Sequence, residues 1–129
     1  MSLFDWLLVG HLMGDFMLQT DKMALHKLRN GHWLLWHVAV YMVAMTLILS
    51  VYAWTQPVPL GLVALAWLFI LITHIFLDRR HFVLWWMERM GVSPDQLWLR
   101  IVVDQVFHLL SLAIVAQVLD WASCRAGSL

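Results

Sequence analysis

Histidine and aspartate recur four residues apart at three places in a largely apolar chain: His11/Asp15, His74/Asp78 and, in reversed order, Asp104/His108. On a helix, residues i and i+4 share a face, so each pair stacks within one turn. His37 adds a further imidazole. Imidazole with carboxylate and without thiolate suits zinc, manganese or iron(II). Four histidines and three aspartates exceed the needs of one tetrahedral zinc, which takes three or four protein ligands. They suit a two-metal site with one aspartate bridging, or one metal whose neighbouring carboxylates orient the histidines.

Each piece also has a plainer reading. A single histidine buried among membrane helices commonly serves as a hydrogen-bonded packing residue. An isolated histidine/aspartate pair can simply seal a helix interface. Charged and imidazole groups are costly in hydrocarbon, however, and there they usually face a partner or a cavity. Three pairs together with His37 therefore favour a metal or catalytic centre. His26, His32 and His81 fall in connections or at boundaries and read as surface histidines.

The elements that must position these residues follow from composition. Of 129 residues, 63% are hydrophobic and 12% charged, against about 25% charged in a soluble domain. This predicts a single all-α, polytopic membrane domain over residues 1–129. Four apolar segments emerge at about 3–19, 33–54, 60–77 and 101–121, each near the ~20 residues needed to cross ~30 Å of hydrocarbon. The first lacks a basic leader and carries Asp5, His11 and Asp15, so it reads as a retained transmembrane helix rather than a signal peptide. Phe82 to Met90 reads as an amphipathic extension or surface helix between the third and fourth spans. Gly91 reads as a helix stop, and Ser93-Pro94-Asp95-Gln96 as a start, with serine as N-cap. The lone Cys124 excludes an intrachain disulfide and a thiolate cluster.

Charge sets the expected orientation. Seven of the eight lysines and arginines lie in the first and third connections, and Arg125 alone lies beyond. The positive-inside rule then places both connections in the cytoplasm and both termini outside, in a bacterial inner membrane. Tryptophans at both boundaries read as interface anchors. In this frame each paired histidine lies deeper than its aspartate by about 6 Å. The three pairs thus fall at comparable depth in the inner leaflet. A net charge of zero gives no footing for nucleic acid.

The candidate metal ligands are His11, Asp15, His37, His74, Asp78, Asp104 and His108, with Asp15 or Asp104 as catalytic base. Gly14 would let a neighbouring helix approach closely. Gln19, Lys22 and Lys27 are candidate substrate contacts. Arg29, Arg79 and Arg80 read as topology determinants and headgroup contacts. His37 joins the cluster at level only if the first helix ends near Gln19; an unbroken helix to Arg29 would set it opposite Lys22.

The run from His11 to Gln19, continuing through Met23-Ala24 to Lys27, resembles an uncharacterised family of small bacterial integral membrane proteins. The hallmark of that family is His-x-x-Gly-Asp-Phe-x-Leu-Gln. His37, His74/Asp78 and Asp104-Gln105-x-x-His108 fall where its remaining polar motifs would. Arginines stand after Asp78, where the resemblance implies a nearby lysine. The pattern is distantly similar to predicted membrane-bound metal-dependent hydrolases. The resulting expectation is a divalent-metal protein, zinc first and manganese or iron next, hydrolysing a lipid-borne phosphoester at the cytoplasmic leaflet. The alternatives are a metal-binding or proton/ion-relay subunit of a larger membrane complex, and a purely structural set of buried pairs. Membrane lipid and a second copy of the chain are the other expected partners.

Overall fold

The computed structural model describes residues 1–26, 30–93 and 95–127. Helix α1 spans Leu3–Leu12 and runs directly into a π-helical turn, Met13–Met17. Then follow α2, Asp21–His26; α3, Gly31–Thr55; α4, Leu60–Asp78; α5, His81–Arg89; and α6, Leu97–Ala126. No strand occurs among the described residues. Helices α3, α4 and α6 are long and apolar enough to cross a membrane.

The first segment corrects the expectation of a fourth span over 3–19. Its α-helical part has 10 residues and its π-turn 5, a rise of at most about 22 Å against ~30 Å of hydrocarbon. The chain leaves the helix at Leu18, whose N–H closes a five-residue bond to the Met13 carbonyl at 2.8 Å. A new helix then starts at Asp21, with the Thr20 hydroxyl accepting the Met23 N–H at 3.3 Å.

Caps explain the other boundaries. The side chain of Asn30 accepts the His32 N–H at 3.1 Å and opens α3. Pro57 and Pro59 separate α3 from α4, because proline lacks the amide that a continuing helix needs. Between α4 and α5, Arg80 adopts φ 61°, a left-handed conformation that ends one helix and turns the chain into the next. The amphipathic piece is therefore a separate helix. It buries Val83 and Met87 and sets Phe82 and Trp86 against Phe107 of α6, with ring centroids 4.9 and 5.4 Å apart. Helix α6 starts at Leu97 rather than beside Ser93. Ser93 instead closes a local turn by accepting the Asp95 N–H at 3.3 Å. Pro94 lies outside the described residues.

The four main helices form a ring. α1 packs on α3 and α6, and α4 also packs on α3 and α6, so α1 faces α4 across the ring and α3 faces α6. Leu7, Met45, Leu49, Ile70, Leu112 and Leu119 fill the centre. The outward surfaces carry Val43, Leu47, Leu65, Ile72, Val106 and Ile114, all exposed. Apolar side chains on this outer face match a surrounding of lipid rather than water.

Candidate metal centre

The π-turn brings the first acid inward. It widens the helix where Gly14 and Asp15 occur, and both are buried. Gly14 meets Tyr41 of α3 so closely that a Cβ there would lie 3.1 Å from the Tyr41 Cα. This approach places Asp15 beside His37, one turn before Tyr41 on the same face of α3. Because the first helical run stops at Met17, His37 lies at the level of Asp15.

Four side chains converge on one point: Asp15, His37, His74 and Asp78, all buried. His37 Nε2 is 3.1 Å from Asp15 Oδ1 and 2.9 Å from Asp78 Oδ2. His74 Nε2 is 3.6 Å from Asp15 Oδ1 and 3.5 Å from Asp78 Oδ2. The two Nε2 atoms are 3.3 Å apart. The edge of a tetrahedron around a metal with bonds near 2.0–2.1 Å is about 3.3–3.4 Å. Five of the six edges of this quartet thus have the dimensions of a tetrahedral site, and the carboxylate–carboxylate edge lies within 4.8 Å.

Protons alone satisfy this arrangement poorly. A neutral imidazole carries one N–H, and one N–H cannot point well at two carboxylates and a second ring nitrogen at once. Two buried carboxylates also leave two negative charges in a low-dielectric interior. A divalent cation held by Asp15, His37, His74 and Asp78 would balance both charges and could accept a lone pair from each. The donor set, two imidazole nitrogens and two carboxylate oxygens, fits such an ion.

The remaining expected ligands lie beside the quartet rather than in it. Gln105 of α6 donates its amide nitrogen to Asp15 Oδ2 at 3.1 Å and to Asp104 Oδ2 at 3.4 Å. Its carbonyl oxygen therefore faces His11 Nε2, 2.8 Å away, and that nitrogen carries the hydrogen. His11 Nδ1 then accepts from the Tyr41 hydroxyl at 3.2 Å. Both His11 nitrogens are thus used in orienting neighbours. His108 Nδ1 donates to the Asp104 backbone carbonyl at 3.0 Å, so its Nε2 carries a lone pair. That Nε2 is buried without a hydrogen-bond partner among the described residues. The His108 ring lies 4.9 Å from that of His74 and 5.2 Å from that of His11. Asp104, 15% exposed, reaches Asp15 through Gln105.

Tyr41 and Gln105 are the residues that charge-based reading missed. The Tyr41 ring lies flat on His74, centroids 3.6 Å apart and 9° from parallel. Its position four residues after His37 was the available signal. For Gln105 the signal was its adjacency to Asp104 in an apolar helix. Among the candidate substrate contacts, Gln19 has its Oε1 buried without a hydrogen-bond partner among the described residues. Exposed Lys22 lines a groove with Thr20, Asp21, Met23, Trp33 and Trp36. Lys27 and Arg29 lie outside the described residues.

No curated protein and no solved structure matches the chain. The family model described as "Protein of unknown function (DUF3307)" matches residues 3–127, and the chain belongs to that family.

Proposed function

We propose that the protein is a membrane-embedded divalent-metal hydrolase acting on a lipid-borne phosphoester at the cytoplasmic leaflet. The observation that carries the metal is the quartet of Asp15, His37, His74 and Asp78, with five donor–donor distances between 2.9 and 3.6 Å. Zinc is the first choice, with manganese or iron(II) next, because imidazole and carboxylate serve all three. In this reading α1 and its π-turn enter the membrane as a fourth, shorter element beside the three long helices. The basic connections lie in the cytoplasm of a bacterial cell and both termini outside, following the positive-inside rule.

A divalent cation held by Asp15, His37, His74 and Asp78 would supply Lewis acidity and a nucleophile at neutral pH. The bare Nε2 of His108, beside His74, supports a role in holding water or substrate. Lys22, in its groove with Trp33 and Trp36, offers a charge to a phosphate headgroup at the inner boundary.

A second reading rests on a different feature of the same site. Structural metal sites are closed by four protein ligands, whereas catalytic ones keep a position open. The quartet supplies four, which favours a metal-binding or ion-relay subunit of a larger membrane complex. Elemental analysis of detergent-purified protein tests both readings, with Asp15→Asn, Asp78→Asn as the control. A divalent metal stoichiometric with the wild-type chain and absent from the control is expected. Equal absence from both removes both readings. Phosphate release from phosphatidic acid vesicles, lost in the same variant, then separates the hydrolase from the closed site.

A further inference from the structure

Tyr41 of α3 is 1% exposed and borders the metal centre on two sides. Its ring lies flat on His74 of α4, and its hydroxyl donates to His11 Nδ1 of α1 at 3.2 Å. The π-turn presses on the same ring, since a Cβ on Gly14 would lie 2.7 Å from Tyr41 Cδ2. Tyr41 is outside the quartet, yet both its ring and its hydroxyl lead to a member of it.

The ring leads to His74. A metal-bound imidazole is ordinarily fixed by a hydrogen bond from its second nitrogen to a carboxylate, a carbonyl or water. His74 turns Nε2 to the quartet, so its second nitrogen is Nδ1. That atom is buried and has no hydrogen-bond partner among the described residues. Stacking sets the plane of the ring instead, with the Tyr41 centroid 3.6 Å away and the planes 9° from parallel. The other ring contacts of His74, with His108, His37 and His11, are longer, at 4.9, 5.3 and 6.4 Å.

The hydroxyl leads to Asp15. Asp15 and Asp104 both accept from the Gln105 amide nitrogen, so the amide carbonyl faces His11 Nε2. His11 then carries its hydrogen on Nε2 and a lone pair on Nδ1, which the Tyr41 hydroxyl satisfies. The opposite polarity would set the Gln105 carbonyl against two acids. A donor at position 41 therefore favours the one tautomer of His11 that keeps the amide nitrogen on Asp15.

We propose that Tyr41 positions two metal ligands at once. Its ring fixes the plane of His74, and its hydroxyl, through His11 and Gln105, fixes the aim of Asp15. This role rests on the metal reading of the quartet.

The test titrates the full chain in detergent with cobalt(II), whose visible absorption reports the geometry of its ligands. Tyr41→Phe keeps the ring and loses the hydroxyl; Tyr41→Leu loses both. Wild type is expected to bind cobalt(II) stoichiometrically. Tyr41→Phe is expected to bind about 10-fold more weakly and Tyr41→Leu about 100-fold, each with a shifted spectrum. In a Gln105→Ala background, Tyr41→Phe is expected to cost nothing further, because its route to Asp15 is already cut. A full additional loss in that background would overturn the proposal. So would a Tyr41→Phe protein whose Tm falls while its cobalt affinity and spectrum stay those of wild type, the mark of a packing residue. Equal affinities of Tyr41→Phe and Tyr41→Leu would overturn the role of the ring. If the Gln105→Ala chain fails to fold, the affinity and spectrum of Tyr41→Phe decide alone. A wild-type chain that takes up no cobalt(II) would instead remove the metal reading, and this role with it.

Discussion

Gln105 donates to one oxygen of Asp15, at 3.1 Å, and so turns the other oxygen toward His37 and His74. An uncharged residue on α6 thereby sets the aim of a carboxylate from the π-turn after α1. The same amide reaches Asp104, and its carbonyl takes the hydrogen of His11. Helix α6 gives the quartet no ligand, yet it orients one.

Gln105→Ala is expected to weaken metal binding by about 10–100-fold, the usual loss when an outer contact to a ligand is removed. Gln105→Glu is expected to be worse, because it sets a third carboxylate against Asp15 and Asp104. Competition with a chromophoric chelator measures both. Affinities equal to wild type would show that Asp15 is held without this amide.

The glycines of the first segment make a paired prediction. A Cβ on Gly14 would lie 2.7 Å from Tyr41 Cδ2 and 3.1 Å from Tyr41 Cα. Backbone cannot yield there, so Gly14→Ala should cost about 1–3 kcal/mol and displace Asp15 next to it. A Cβ on Gly10 would run into Ile48 Cδ1, but that atom is the far end of a flexible side chain. Gly10→Ala should therefore be tolerated. Thermal unfolding and metal content of the two variants distinguish a needed close approach from mere smallness.

The paired spacing and the apolar segments were readable because helix periodicity puts residues four apart on one face, and His74/Asp78 obeys it directly. What could not be read was the π-turn. It adds no unusual residue; Met13 to Met17 would suit an α-helix, and the wider turn coincides with the close approach of Gly14 to Tyr41, a tertiary contact that local spacing does not specify. That turn shortened the first segment below a full span, and it also brought His37 level with Asp15. Depth alone made His11, Asp104 and His108 look equivalent to the quartet. Their hydrogen bonds to Tyr41, Gln105 and a backbone carbonyl depend on rotamers, which spacing does not specify.

Binding should depend on pH with a definite sign. Each ligand must be deprotonated to coordinate, and an ordinary imidazole titrates near 6.5. Acidification is therefore expected to release the metal, and return to neutral pH to restore it. Dialysis at pH 5 and pH 7.5 followed by elemental analysis measures this. The loaded protein should be more stable than the chelated one, by about 2.7 kcal/mol at a hundredfold excess over Kd. A Tm unchanged by chelation would mean that the quartet holds no ion in the folded protein.

His74 and His108 offer the sharpest comparison, because they are the same residue type, both buried, with rings 4.9 Å apart. His74 Nε2 points at both carboxylates of the quartet. His108 spends Nδ1 on its own helix and keeps Nε2 outside the set of four. His74→Ala should weaken binding by more than the ~10–100-fold typical of an outer contact. His108→Ala should stay within that range. If the hydrolase reading holds, His108→Ala should nonetheless lose phosphate release while keeping its metal, since its free nitrogen is then the group that meets water or substrate. Equal loss of metal from both variants would instead make His108 a ligand and enlarge the site beyond four.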